Sequence, residues 1–164
     1  MVRQFLDTRK THIALLSDVD ATHFTDDEEF EVALSCAASI VTRTVMDDVD
    51  LTILCGKWVV EKPKSRYALD CYSRAKMGRY QLDREFDRVR QRASDASLVV
   101  VVTGALTRFE DLLRGRAMIP STIHLLVVRV VQGEEIALRD TGTFIELTVG
   151  ALDDLPRALR GGLS

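Results

Sequence analysis

The stretch Ile13-Ala14-Leu15-Leu16-Ser17-Asp18-Val19-Asp20-Ala21-Thr22 decides the fold. Four consecutive apolar residues, with no polar alternation, read as a strand buried on both faces. That is the pattern of a parallel sheet covered by helices. The apolar run stops at Ser17-Asp18, so the strand empties into a polar loop. A strong helix signal follows. Thr25 precedes Asp26, Asp27 and Glu28, a capping box with acidic residues in the first turn. Phe30, Ala33, Leu34, Ala37, Ile40, Val41 and Val45 then recur at helical spacing, one apolar stripe facing a core. This helix is expected to end near Met46-Asp47.

The same alternation runs outward along the chain. Residues 49–54 alternate like a half-buried strand, Cys55-Gly56-Lys57 reads as a turn, and Trp58-Val59-Val60 returns as an antiparallel edge strand. Lys62-Pro63-Lys64-Ser65-Arg66 reads as a loop, and Tyr67 to Met77 as a weak helix closed by Gly78. Leu82, Phe86, Val89 and Ala93 mark an amphipathic helix whose other faces carry Arg84, Arg88, Arg90 and Arg92. Leu98-Val99-Val100-Val101-Val102 is the most β-like run and ends at Thr103-Gly104. A second capping box, Thr107 to Glu110, opens a short helix. Strands are expected at 124–131 and 143–149, with a closing helix through Leu152, Leu155 and Leu159 and Pro156 in its first turn. The expectation is one domain over 1–164. It is an α/β, doubly wound, mostly parallel sheet of Rossmann type, with one antiparallel edge strand and helices on both faces.

Bulk properties exclude several classes. The chain has 164 residues, enough for one core that buries roughly 70% of its unfolded surface. Its net charge of −3 demands neither nucleic acid nor an anionic membrane. No apolar run approaches the ~20 residues that span a bilayer, and the start Met1-Val2-Arg3-Gln4-Phe5 lacks the apolar core of a signal peptide. Cys36, Cys55 and Cys71 are an odd count without C-x-x-C spacing. They argue for a reducing, cytoplasmic setting and against disulfides or zinc.

In a doubly wound sheet, ligands bind beyond the carboxyl ends of strands where the strand order reverses. If strands 13–17 and 98–102 are neighbours, their following loops share one crevice. Asp18, Asp20, Thr22, His23, Thr103 and Gly104 would line it. Two carboxyls and a hydroxyl suit a hard cation such as Mg²⁺, held by Asp18, Asp20 and Thr22. The plainer reading makes the two aspartates loop and cap residues that satisfy backbone N–H groups. An apolar strand followed by D-x-D-x-T also resembles the first motif of the haloacid-dehalogenase-like phosphatases. That resemblance implies an Mg²⁺-dependent hydrolase with Asp18 as nucleophile and Asp20 as acid/base. It also requires a lysine after the second motif to hold phosphoryl charge, and no lysine follows Thr103. Elsewhere, His12 and His124 lie at strand starts, away from the expected crevice. Trp58 on an edge strand is either an interaction anchor or a core cover.

Two further segments carry a resemblance. Val2-Arg3-Gln4-Phe5, Asp7-Thr8-Arg9 and Thr11-His12 resemble the lead-in to the von Willebrand factor A-like half of a bacterial family labelled domain of unknown function 58. Phe30-Glu31, Ala33, Ser35 and Ala37-Ala38-Ser39 resemble that family's first helix. The resemblance implies an A-domain sheet acting as a non-enzymatic interaction module. It would be the C-terminal part of a larger, membrane-anchored architecture, facing the cytoplasm and working with an AAA+ ATPase of the MoxR type. A-domains hold a metal through D-x-S-x-S, a threonine and an aspartate in T-D-G. Here Asp20 stands where a serine is expected, and Thr103-Gly104-Ala105 lacks the aspartate. The resemblance therefore implies a degenerate adhesion-type site, with no cofactor needed and Mg²⁺ at most an occasional occupant.

Overall fold

A computed structural model describes residues 11–64 and 67–163. The Val2–Arg9 segment that carries part of the family resemblance lies outside the described residues, as do Ser65 and Arg66. The strands are β1 (His12–Ser17), β2 (Asp50–Cys55), β3 (Trp58–Glu61), β4 (Leu98–Gly104), β5 (His124–Val130), β6 (Ala137–Asp140) and β7 (Ile145–Val149). The helices are α1 (Asp27–Met46), α2 (Asp70–Arg74), α3 (Leu82–Arg92), α4 (Phe109–Ala117) and α5 (Leu155–Leu163). One seven-stranded sheet takes the order β3-β2-β1-β4-β5-β7-β6. β1 pairs parallel with both β2 and β4, and β4 with β5. β3 is the expected antiparallel edge, paired to β2 across the Gly56-Lys57 turn, where Gly56 has φ +56°. A second antiparallel strand, β6, caps the other edge on β7.

Pleating sorts the apolar strands into two cores. Ile13, Leu15, Val100, Val102, Leu126 and Val128 face α1 and α5, where Phe30, Ala37, Val41 and Leu155 meet them. Ala14, Leu16, Val99, Val101 and Val127 face α3 and α4, against Phe86, Val89 and Leu112. The uninterrupted hydrophobicity of β1 and β4 thus serves both faces at once. The order reverses between β1 and β4, so the topological switch point falls at the carboxyl ends of these two strands.

Three local expectations shift for identifiable reasons. The cap of α1 is Asp26 rather than Thr25. Asp26 accepts from the Glu29 N–H at 2.8 Å, which frees Glu29 to take the backbone N–H groups of Thr25 and Ala105. Thr107 does not cap α4. Arg108 is the N-cap, with no side-chain cap bond, because the Thr107 hydroxyl bonds Thr103 instead. The helix expected up to Gly78 stops at Arg74. Beyond it the chain extends, and Gly78 forms a parallel bridge with Asp20.

α3 and α4 touch through Phe86, which is fully buried against Gly115. A Cβ at 115 would lie 2.3 Å from Cδ2 of that ring. Gly115→Ala should therefore lower stability by about 1–3 kcal/mol, the usual cost of overpacking. Phe86→Leu in the same chain should recover part of the loss, a coupling that urea denaturation of the four cycle members would read. A neutral Gly115→Ala would contradict this packing.

Candidate functional site

The crevice between β1 and β4 is built around one buried carboxyl group. Asp18 is 5% exposed. It continues β1 beyond Ser17, with its own N–H donating to Val102 O at 2.9 Å. Its Oδ1 accepts the Asp20 backbone N–H at 2.9 Å. Its Oδ2 accepts the Thr103 hydroxyl at 2.6 Å and faces His23 Nδ1 at 2.5 Å. Since the Thr103 proton points at Asp18, the Thr107 hydroxyl donates to Thr103 Oγ1, at 2.5 Å. Ser17, just before, shares a 2.9 Å hydrogen bond with the Tyr72 hydroxyl from α2.

Asp20 closes the other side. Its Oδ1 accepts both the backbone N–H and the hydroxyl of Thr22, at 2.9 and 2.8 Å. It thereby caps the single 3₁₀ turn Ala21–His23. That turn carries the His23 ring back over the carboxyls, with Nε2 3.9 Å from Asp20 Oδ2. The sequence places His23 in the crevice without giving it a partner. The structure buries it and gives it Asp18 as its partner. The signal was present in the spacing, since a 3₁₀ turn of three residues after Asp20 returns position 23 to position 18.

Burial alone would lower the His23 pKa. The hydrogen bond to Asp18 and the fields of Asp18, Asp20 and Asp111 together outweigh it and hold the pKa above its ordinary value. The two carboxyl groups thus favour the protonated form of the ring between them.

The loop after β4 is pinned from both sides. Glu29, 2% exposed, takes the Ala105 N–H at 2.8 Å. Arg129 on β5 donates to the carbonyls of Gly104, Ala105 and Thr107, and Glu146 on β7 faces the same guanidinium at 3.3 Å. None of these three charges was singled out from sequence, because a lone charge inside an apolar pattern does not say which group it serves. Gly104 lies directly under the 3₁₀ turn. A Cβ there would lie 2.3 Å from His23 O and 2.6 Å from Phe24 Cδ1. An aspartate cannot occupy position 104 without displacing the backbone that carries His23.

This packing bears on the metal ligands expected from sequence. Asp18, Asp20 and Thr22 do come together, as do His23, Thr103 and Gly104. Most of their donors and acceptors, however, are spent on one another. An octahedral cation needs several free oxygen ligands with room for water, and here the His23 ring stands between the two carboxyls. The residues as arranged do not fit that ion. Among the described residues, no three His, Cys, Asp or Glu side chains converge as a metal-ligand group.

The fold is similar to that of solved structures. A von Willebrand factor type A protein from Catenulispora acidiphila superposes with a TM-score of 0.58 at 11% identity, over 94% of this chain and 42% of that one. The fold is von Willebrand factor A-like. The Ro (Rsr) protein of Deinococcus radiodurans superposes with a TM-score of 0.52 at 14% identity, over 98% of this chain and 36% of that one. The chain thus spans less than half the length of either structure. No family model matches the sequence, and no curated protein matches it either. Among the described residues no helix is long and apolar enough to cross a membrane.

Two outcomes follow. A group whose pKa is raised on folding stabilises fully below its unfolded value, about 6.5 for histidine, and loses that contribution as pH rises through the folded value. The stability gap between wild type and His23→Gln should therefore be widest near pH 6 and shrink towards pH 9 in denaturant titrations. A gap that widens with pH would contradict the ion pair. Gly104→Asp should destabilise by more than about 2 kcal/mol by forcing the His23–Phe24 backbone away, and it should not create Mg²⁺-dependent stabilisation.

Proposed function

We propose that this chain is a non-enzymatic protein-interaction module whose docking face is the rim of the β1–β4 crevice. The closed polar knot carries this reading. Asp18, the residue a hydrolase would use as nucleophile, has Oδ1 bound to a backbone N–H and Oδ2 bound to Thr103 and His23. Both Asp18 oxygens are thus already hydrogen-bonded, Oδ2 to two partners, and no lysine follows Thr103 to hold phosphoryl charge. Above the knot, the rim presents Ala21 and Thr22 from one loop and Leu106 from the other. Leu106 is an apolar side chain 54% exposed beside a rigid polar floor. A protein surface can cover it and gain the burial.

The family resemblance extends the proposal. Residues 1–164 would be the single A-like domain at the C-terminal end of a membrane-anchored architecture resembling the domain-of-unknown-function-58 family. They would face the cytoplasm, contact no lipid themselves, and engage an AAA+ ATPase of the MoxR type. The adhesion-type site would be a degenerate one in which His23 supplies the positive charge.

The test pairs two measurements. Wild-type protein immobilised with native extract, or with a MoxR-type ATPase, should retain a specific partner that the rim variant Ala21→Arg, Leu106→Glu loses. With Mg²⁺ and a generic phosphate monoester, turnover should stay at background. Turnover that depends on Mg²⁺ and disappears in Asp18→Asn would replace this reading with the hydrolase.

A further inference from the structure

We infer that the module receives an acidic, extended protein segment on a basic shoulder beside the crevice, an assignment that rests on the interaction reading above and names the partner's chemistry. Segment 57–79 holds seven basic residues against two acidic ones, in a chain whose net charge is −3. Four of the five lysines lie in it. Six of those bases are described, and Lys57, Lys62, Lys64, Arg74, Lys76 and Arg79 are all exposed.

The fold brings the larger part of this charge to the crevice. Lys57 sits in the turn at the carboxyl end of β2. Arg74 ends α2. Lys76 and Arg79 flank Gly78, whose N–H donates to Val19 O and whose carbonyl accepts from Ala21 N, both at 2.9 Å. The basic strand of chain therefore runs from the β3 edge directly to the loop that carries Asp20. Trp58 anchors it. The Lys57 ammonium lies 5.0 Å and the Arg74 guanidinium 5.7 Å from its ring centroid, which holds two cations beside each other at the sheet edge.

What marks these bases is that they are gathered on one stretch of chain, with the Asp95 carboxylate near Lys62. Several helical arginines elsewhere pair with a carboxylate one turn away, as in Arg43–Asp47, Arg90–Asp87, Arg114–Asp111 and Arg157–Asp154. Among the described residues, none of the six shoulder bases makes an ion pair. A like-charged group kept together raises the local potential and steers an oppositely charged ligand.

A nucleic acid is the less favoured polyanion. The Trp58 ring that a base would stack upon already carries two cations. The exposed acids Asp26, Asp27 and Glu28 open α1 beside the same loop, where a long phosphate chain would meet repulsion. A short acidic peptide can lie along the shoulder and stop before them.

Fluorescence anisotropy decides the matter, using a labelled peptide of alternating glutamate and threonine and a single-stranded RNA of equal length. The peptide should bind at low ionic strength and weaken as salt rises. The variant Lys57→Glu, Arg74→Glu, Lys76→Glu, Arg79→Glu should weaken it at least about tenfold, with an unchanged circular dichroism spectrum. If four reversals prevent folding, Lys76→Glu with Arg79→Glu should still weaken binding severalfold. Absent peptide binding, binding indifferent to the reversals, or tighter binding of the RNA would overturn the inference. So would salt-sensitive self-association abolished by the same reversals, which would assign the shoulder to a second copy. If the wild type retains a partner from extract and the reversal variant retains it equally, the inference falls while the interaction reading stands. If no partner is retained, the interaction reading fails by its own test, and peptide affinity still decides the shoulder.

Discussion

Everything at the working end of this sheet depends on satisfying one buried carboxyl. A carboxyl group removed from water is tolerated only if both oxygens find donors. Asp18 finds them in three places: the Asp20 N–H, the Thr103 hydroxyl and the His23 ring. These donors come from the loop after β1 and from the end of β4, so meeting the demand of Asp18 ties together the two strands that bound the switch point. The secondary contacts extend the same logic. Thr107 supports Thr103, Glu29 and Arg129 fix the loop between them, and Gly104 leaves room for the backbone that brings His23 over. Removing one partner of such a buried pair leaves the other uncompensated, a cost of about 3–5 kcal/mol.

Much of the architecture was legible because the sheet is buried on both faces. The apolar runs at 13–16 and 98–102 carry that message without needing any partner, and placing their loops in one crevice follows from the topology they imply. The residues of the crevice were legible for the same reason. So was the plainer role of the two aspartates, each of which takes a loop backbone N–H; how they divide the rest of the network was not. Asp18 and Asp20 look alike in sequence, yet one is the buried hub and the other caps a 3₁₀ turn. Thr107 looked like a helix cap and is a relay to Thr103. The segment after Arg74 looked helical, but the backbone bridge between Gly78 and Asp20 holds it extended. In the last two cases a particular hydrogen bond, within one loop for Thr107 and between distant segments for Gly78, outweighed a helix preference that a single sequence displays.

The missing T-D-G aspartate was read from sequence as a gap in a metal site. The structure gives the gap a cause. Position 104 has no space for a side chain, and the space is taken by the turn that delivers a protonatable ring. A mobile external cation and a tethered internal one have different consequences. The first lets the site be loaded, emptied and bridged to a ligand's carboxylate. The second closes the site, which is what the proposed docking at the rim requires.

The most direct test of that claim is the His23 ring itself, observed by nitrogen-detected NMR with and without Mg²⁺. A closed site predicts a ring that stays protonated above its ordinary range, with a hydrogen-bonded Nδ1 proton, and that does not respond to added Mg²⁺. A saturable shift of the His23 resonances with Mg²⁺, accompanied by loss of that proton, would show that the cation displaces the ring and that the site is open to metal after all.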